Sequence, residues 1–386
     1  MSDDEADPEL LTLLCNSLGL GTHSRVDASP DTDVLGSALH VCNNSIDVAI
    51  SMAGTRAAAA MLHSQMQQRN YSTAAWCAHE LHPKSKDAAT ADFIFTTDLL
   101  NFCFWSERGA AERFAVEYRG RRWTGYWSLV ACLQRALDED IPITTPSFWR
   151  NEADCPDSLL HHVFRSATAE EMPLLRERIA CLREASLVLS QNFASSVAAL
   201  IVSANHSAAA LVNRLAASFP CFNDVHRFEG REVRILKRAQ IFVADLWAAF
   251  DGEGYGRFED IDRITMFADY RVPQMLHHLG VLSYSPPLAS HIRSLKPIPS
   301  GHAWEIQLRG NAIQAVELLK RQIHSAHPDA KINAILIDFF LYDVAKERER
   351  ELERKRQLGG EGGEEGTDGE EEREEMPHHR TRSIWY

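Results

Sequence analysis

The sequence predicts a mainly α-helical protein with a small β-hairpin, and three observations lead there. Long stretches between Glu170 and Lys346 repeat apolar residues at helical spacing with few prolines. Only one short segment, Phe114 to Trp123, alternates apolar and polar residues around a turn dipeptide, Arg119-Gly120. Hydrophobic residues make up 45% and charged residues 24% of the 386, a balance that lets a chain of this length bury a sizeable core.

The elements follow in order. Residues 1–40, rich in Asp, Ser, Gly and Thr, read as a variable and partly disordered segment in which Leu10–Leu14 is apolar enough for a short helix. Ile46 to Gln68 reads as a helix. Phe93-Ile-Phe95 and Asn101-Phe-Cys-Phe-Trp105 have strand character, and the hairpin follows them. Tyr126–Leu137 is a helix that ends before Ile141-Pro142, and Glu170–Phe219 holds two or three more. Lys237–Phe250 is strongly apolar and closed by Asp251-Gly252. Pro273–Leu279 has Pro near its first turn and Gly280 at its end, the usual asymmetry of a short helix. Asn311–Ile323 and Ile332–Lys346 complete one helical domain over 41–346. Residues 347–377 turn Glu/Arg-rich and then Gly/Glu-rich, reading as a helical extension that frays into a disordered acidic insertion. Residues 378–386, ending Ser-Ile-Trp-Tyr386, are aromatic again and are expected to dock back on the domain.

Charge and cysteine usage narrow the function classes. The net charge is −14, and Lys346–Met376, with thirteen acidic against seven basic residues, carries six of those charges. The rest of the chain is still acidic, which argues against a nucleic-acid polymer as partner and for a small ligand. No apolar run reaches the length of a membrane span, and the first residues, Met1-Ser-Asp-Asp-Glu-Ala-Asp7, lack the basic start of a secretory signal. The eight cysteines, from Cys15 to Cys221, form no Cys-x-x-Cys pair, as expected of reduced thiols in a cytoplasmic protein. Protein partners are not legible.

Thr265-Met-Phe-Ala-Asp-Tyr-Arg-Val-Pro273 is the most informative stretch. If Pro273 opens a helix, Asp269 lies just upstream of its N-terminus, where free N–H groups and the dipole favour a carboxylate. A carboxylate held beside a substrate can steady or attack an oxocarbenium-like sugar. A cap, or an ion pair with Arg271, is the plain alternative. Asp338 and Asp343 stand five apart in an otherwise apolar helix, about 140° of rotation, so they cannot share the centre of one face, though both can still flank a pocket. A carboxylate there needs a partner, either ligand N–H groups or an Arg. Arg238 and Asp245 are two turns apart, too far to pair with each other. Lys237 and Arg238 are candidates for a phosphate, with structural ion pairs as the competing reading for this group. His79 and His82 lie three apart, but no Glu or Cys completes a zinc set, so no metal is expected.

Taken together, these stretches resemble the queuosine 5′-phosphate N-glycosidases of the queuosine salvage protein family. The resemblance rests on His79-Glu-Leu-His-Pro83, Phe93–Trp105, Tyr126-Trp-Ser-Leu-Val130, Arg135–Ile143, Lys237-Arg-Ala-Gln-Ile241, Thr265–Pro273, Asp338–Asp343 and Arg380–Tyr386, in that order along the chain. It implies a helical DNA-glycosylase-like architecture and hydrolysis of queuosine 5′-phosphate to queuine and ribose 5-phosphate, without a cofactor. The resemblance places the catalytic aspartate on Asp269 and the base contacts on His79, Phe267, Asp338, Phe339 and Asp343, with Tyr270 beside them. Relatives carry Tyr where Phe339 stands and Asn where His82 stands. A protein that binds the nucleotide without cleaving it is the alternative.

Overall fold

The computed structural model describes residues 31–358 and 376–386; Leu10–Leu14 and the Gly/Glu-rich stretch 359–375 lie outside the described residues. Among those described, helices dominate and the strands form three two-stranded antiparallel pairs. The chain is therefore mainly α with small β-hairpins, as the apolar periodicity predicts.

At the centre lies α10, Lys237–Ala249, with twelve of its thirteen residues buried. Such burial follows from a helix that is apolar almost all round and so must be covered on every side. Its neighbours are α3 (Ala74–Ala78), α4 (Ala88–Leu99) and α9 (Ala208–Ser218). The long α13, Ala303–Ala326, packs on α1 (Val34–Asn43) and α2 (Met52–Gln68), and also meets α11 (Arg271–His278) and α14 (Ala334–Leu358). Side-chain caps start several helices: Ser51 accepts from Gly54 N, Asp87 from Thr90 N, Ser207 from Ala210 N and Ser285 from Leu288 N.

Several elements differ from expectation. Phe93-Ile-Phe95 is helical, not extended. It lies in α4, where nine of twelve residues are buried, so no polar face marks the period. Asn101–Trp105 is irregular; Cys103 N donates to Tyr386 O at 2.6 Å and Trp105 Nε1 to Thr381 O at 2.9 Å. Within the expected helix from Ile46, Val48–Ile50 (β1) instead pairs with Leu282–Tyr284 (β6), and the helix starts only at Met52. The hairpin of Val116–Tyr118 (β2) and Arg121–Trp123 (β3) turns at Arg119 and Gly120, both at positive φ. A second hairpin, Val225–Phe228 (β4) with Arg231–Arg234 (β5), turns the same way at Glu229-Gly230.

The helical body passes both expected ends. Helix α1 begins at Val34, ahead of 41, and α14 runs on to Leu358, so 347–358 of the expected acidic insertion is helix. Alternating Glu and Arg in that extension place opposite charges three residues apart, which favours helix. The last segment packs on the body: Ile298 N donates to Arg380 O at 2.7 Å, and Tyr386 is buried.

Candidate active site

One cavity of about 260 Å³ opens between α3, the start of α5 (Tyr126–Asp138), α10, the loop 267–271 and α14. Of the residues singled out from sequence, His79, His82, Lys237, Asp245, Phe267, Asp269, Tyr270, Asp338, Phe339 and Asp343 all line it. Arg238 does not line it. Its guanidinium donates to the Leu99 and Cys221 carbonyls, so it ties α10 to its neighbours and is unavailable to a phosphate.

Asp269 precedes α11, which begins at Arg271, two residues earlier than Pro273 suggests. Its Oδ1 accepts from Arg271 N at 2.7 Å and Val272 N at 3.0 Å. These two amides belong to the first turn, where no carbonyl partner exists, so the carboxylate is both oriented and favoured by the helix end. Of the two structural alternatives for Asp269, the cap is present through these bonds, while no ion pair with the Arg271 guanidinium forms among the described residues. The Arg271 guanidinium turns instead to Glu349 at 2.8 Å. Asp269 is half-buried and reaches the cavity.

Lys237 faces the same region, its Nζ 3.5 Å from Asn101 O. Burial lowers its pKa to about 8, partly offset by the nearby negative charge of Asp269. Asp338 accepts from Phe267 N at 3.0 Å. Burial, and then the adjacent Asp269, push its carboxyl well above the usual carboxylate range, which favours the protonated form that donates as well as accepts hydrogen bonds. Asp343 accepts from Tyr71 OH at 2.6 Å, and burial raises its pKa too. The site thus places acids in different environments around one space, an arrangement common where carboxyl groups play different roles.

Part of the cavity wall is aromatic. His79 stacks on Trp127, ring centroids 3.2 Å apart, and its Nδ1 accepts from Leu81 N. His82 stacks on Trp76 and bonds Trp76 O and Tyr126 OH. Burial lowers the pKa of His79 to about 4 and of His82 to about 3, so both rings are neutral stacking surfaces. Among the described residues no three His, Cys, Asp or Glu side chains gather as a metal site. At the rim, Glu349 bonds Arg271 and Lys346, each at 2.8 Å, and lies 3.9 Å from Arg113. Burial works against its ionisation, yet Lys346 and Arg271 hold its pKa at about 2.

The raised acids predict a pH dependence of stability. A carboxyl whose folded pKa exceeds its unfolded value binds more protons when folded, so it loses stabilising effect as pH climbs between the two values. For Asp245, which burial pushes up to about 7 from 3.8, that window is roughly pH 4 to 7. Thermal melts across this range are expected to show falling stability, and Asp245→Asn should flatten the fall.

A family model described as Queuosine salvage protein matches residues 81–386. The chain belongs to the queuosine salvage protein family. The chain is 45% identical over 320 residues to a protein of Schizosaccharomyces pombe, covering 81% of this chain and 91% of the relative. A Mus musculus relative is 36% identical over 361 residues, covering 91% and 97%, and one from Sphaerobacter thermophilus 38% over 307 residues, covering 80% and 84%. Each of the three is named queuosine 5′-phosphate N-glycosylase/hydrolase.

In this family member, sequence reasoning missed Tyr71, Trp76, Trp127, Tyr342 and Lys346 as cavity residues, and Arg271 as more than a partner for Asp269. Tyr342 and Lys346 had a usable signal: they follow Asp338 and Asp343 at helical spacing, on the same stripe of α14. Trp76 and Trp127 had none, since an aromatic residue in a helix is usually core.

Proposed function

We propose that the chain hydrolyses the N-glycosidic bond of queuosine 5′-phosphate, releasing queuine for salvage towards tRNA modification and leaving ribose 5-phosphate. The observation that carries this reading is Asp269, fixed by two helix N–H groups in a cavity that aromatic side chains also line. The names of the relatives supply the substrate.

Queuine is a 7-deazaguanine, so the ring atom whose protonation usually helps a purine leave is a carbon. More of the barrier then falls on stabilising the developing sugar cation, the task of a preorganised carboxylate. Asp269 takes that role. Asp338 beside it and Asp343 are placed to hold the polar edge and charged side arm of the base, while Phe267 and Phe339 offer stacking faces. The substrate phosphate is assigned to the end of the cavity lined by the cationic side chains of Arg271 and Lys346. The cytoplasm is the proposed location, in keeping with the free thiols of all seven cysteines in the described residues.

Incubation with queuosine 5′-phosphate, followed by mass spectrometry, is expected to detect free queuine. Tight binding without release would favour the non-catalytic alternative. Lys346→Met is expected to raise KM for the nucleotide by about tenfold, the scale of one lost charged hydrogen bond. The same variant should leave the slow cleavage of unphosphorylated queuosine nearly unchanged. An equal effect on both substrates would move the phosphate elsewhere.

A further inference from the structure

Among the groups that do not line the cavity, two thiols share one enclosed space and take no part in the chemistry proposed above. Cys181 lies on α7 (Leu175–Asn192) and Cys221 in the single turn Pro220–Phe222, and the two thiols face each other in a side-chain hydrogen bond. Glu184, one turn along α7 from Cys181, accepts from Cys221 N at 2.9 Å and so seats that turn against the helix. Both cysteines are buried, at 4% and 3% exposed, but Pro220 and Asn223 on either side of Cys221 are exposed. The pair therefore lies one layer beneath the surface, where a small shift of the turn admits a water-sized molecule.

The surroundings are cationic. Arg178, on α7 just before Cys181, donates to the carbonyls of Pro173, Leu100 and Phe102, and Arg238 to those of Leu99 and Cys221. Both guanidiniums are buried, and both lie over the Phe102 ring, at 4.2 and 4.9 Å. Carbonyls satisfy these donors without cancelling their charge, so a thiol beside them gains from becoming a thiolate. The Cys221 thiol, and then Arg238 and Arg178, lower the Cys181 pKa, while burial and Glu184 oppose them. The same hydrogen bond, with burial, raises that of Cys221, so Cys181 is the sulfur that ionises first. The turn is also tied to the active site. Cys221 O holds Arg238, the neighbour of the cavity residue Lys237. Asp224, three residues on, accepts from Lys237 N and bonds Arg309, which donates to the Ala268 carbonyl beside Asp269.

We propose that Cys181 and Cys221 are a redox site, closed by hydrogen peroxide to a disulfide that lowers activity until a dithiol reopens it. The Cys181 thiolate attacks one peroxide oxygen and the O–O bond breaks. The departing hydroxide takes up the proton that Cys181 had released and becomes water, leaving Cys181 as a sulfenic acid. The Cys221 sulfur then attacks the Cys181 sulfur, the S–O bond breaks, and the second hydroxide leaves with the Cys221 proton as water. Two thiols have lost two electrons and the peroxide has gained them. Bond formation draws the sulfurs to about 2.05 Å, which pulls the turn towards α7 and with it the anchors of Arg238, Lys237 and Arg309. A misplacement of about 1 Å in a positioning group can cost about a hundredfold in rate. Transient disulfides of this kind are the ones that a reducing cytoplasm permits. The effect on activity rests on the function proposed above; the cross-link does not.

The test treats the full chain with hydrogen peroxide, digests it without reductant and maps the peptides by mass spectrometry. Release of queuine from queuosine 5′-phosphate is followed in the same samples. A peptide joining Cys181 to Cys221 is expected, with a fall in release of about tenfold or more that dithiothreitol reverses. Neither Cys181→Ala nor Cys221→Ala can form the link, and whichever of them folds should keep most of its activity through the peroxide treatment. Absence of the linked peptide from oxidised, folded protein, a linked protein as active as the reduced one, or an equal loss in a folded variant would overturn the switch. If reduced wild type releases no base, the proposed function fails and its control with it, whereas the linked peptide decides the redox pair either way.

Discussion

Asp269→Asn is expected to lower turnover of queuosine 5′-phosphate by about a thousandfold or more, the scale seen when a preorganised electrostatic group is removed from a transition state. The substitution is unusually clean for a structural reason. Asn caps helices about as well as Asp, and its side-chain oxygen can still accept from Arg271 N and Val272 N. Fold, cavity shape and cap are therefore retained while the charge is lost. Melting temperature should change little, and binding of queuine, which carries no sugar, should persist. Near-normal turnover by the folded variant would remove Asp269 from the chemistry. A loss of both stability and activity would instead make it a cap alone.

The second large effect concerns Arg309, wholly buried on α13. Its guanidinium bonds Asp224 through two nitrogens, Glu305 one turn back, the Ala268 carbonyl and the Trp385 carbonyl. Burial opposes charge on both sides of the main pair, yet the pairing holds Asp224 well below the usual carboxylate range and raises Arg309 further. Removing one partner strands buried charge, which typically costs about 3–5 kcal/mol. Arg309→Met is accordingly expected to destabilise the protein by that order in denaturant titrations. The Ala268 bond lies next to Asp269, so activity should fall even at temperatures where the variant remains folded. A variant as stable as wild type would mean that the acids are neutral or hydrated when Arg309 is absent.

Much of this architecture was legible because helices announce themselves by period. Lys237–Phe250 and Tyr126–Leu137 were visible almost to the residue, since each carries a long apolar pattern and a clear stop. Phe93–Phe95 misled because α4 is enclosed on nearly all sides, leaving an aromatic run with no polar face to set a period. The pairing of β1 with β6 joins three-residue strands more than two hundred residues apart, a signal too short for any local pattern to carry. Within the site, the place of Asp269 before a helix made it one carboxylate among several, and the family resemblance singled it out; the spacing of Asp338 and Asp343 excluded a shared face on α14 without showing that both line one cavity. Lys346, Arg271 and Glu349 were not visible as a group, because ion pairs across separate elements exist only in three dimensions. The role of Arg238 as a tie between carbonyls was hidden for the same reason.

The distribution of the cavity walls along the chain bears on how the protein becomes active. Tyr71 and Tyr386 line the same space, with contributions from α5, α10 and α14 between them. Each such closure costs chain entropy before any contact returns it. Helices can therefore form early and locally, while the catalytic space exists only after the most distant segments have met. Helix content alone therefore does not report whether these walls have come together, and catalytic activity or ligand binding is the measurement that does.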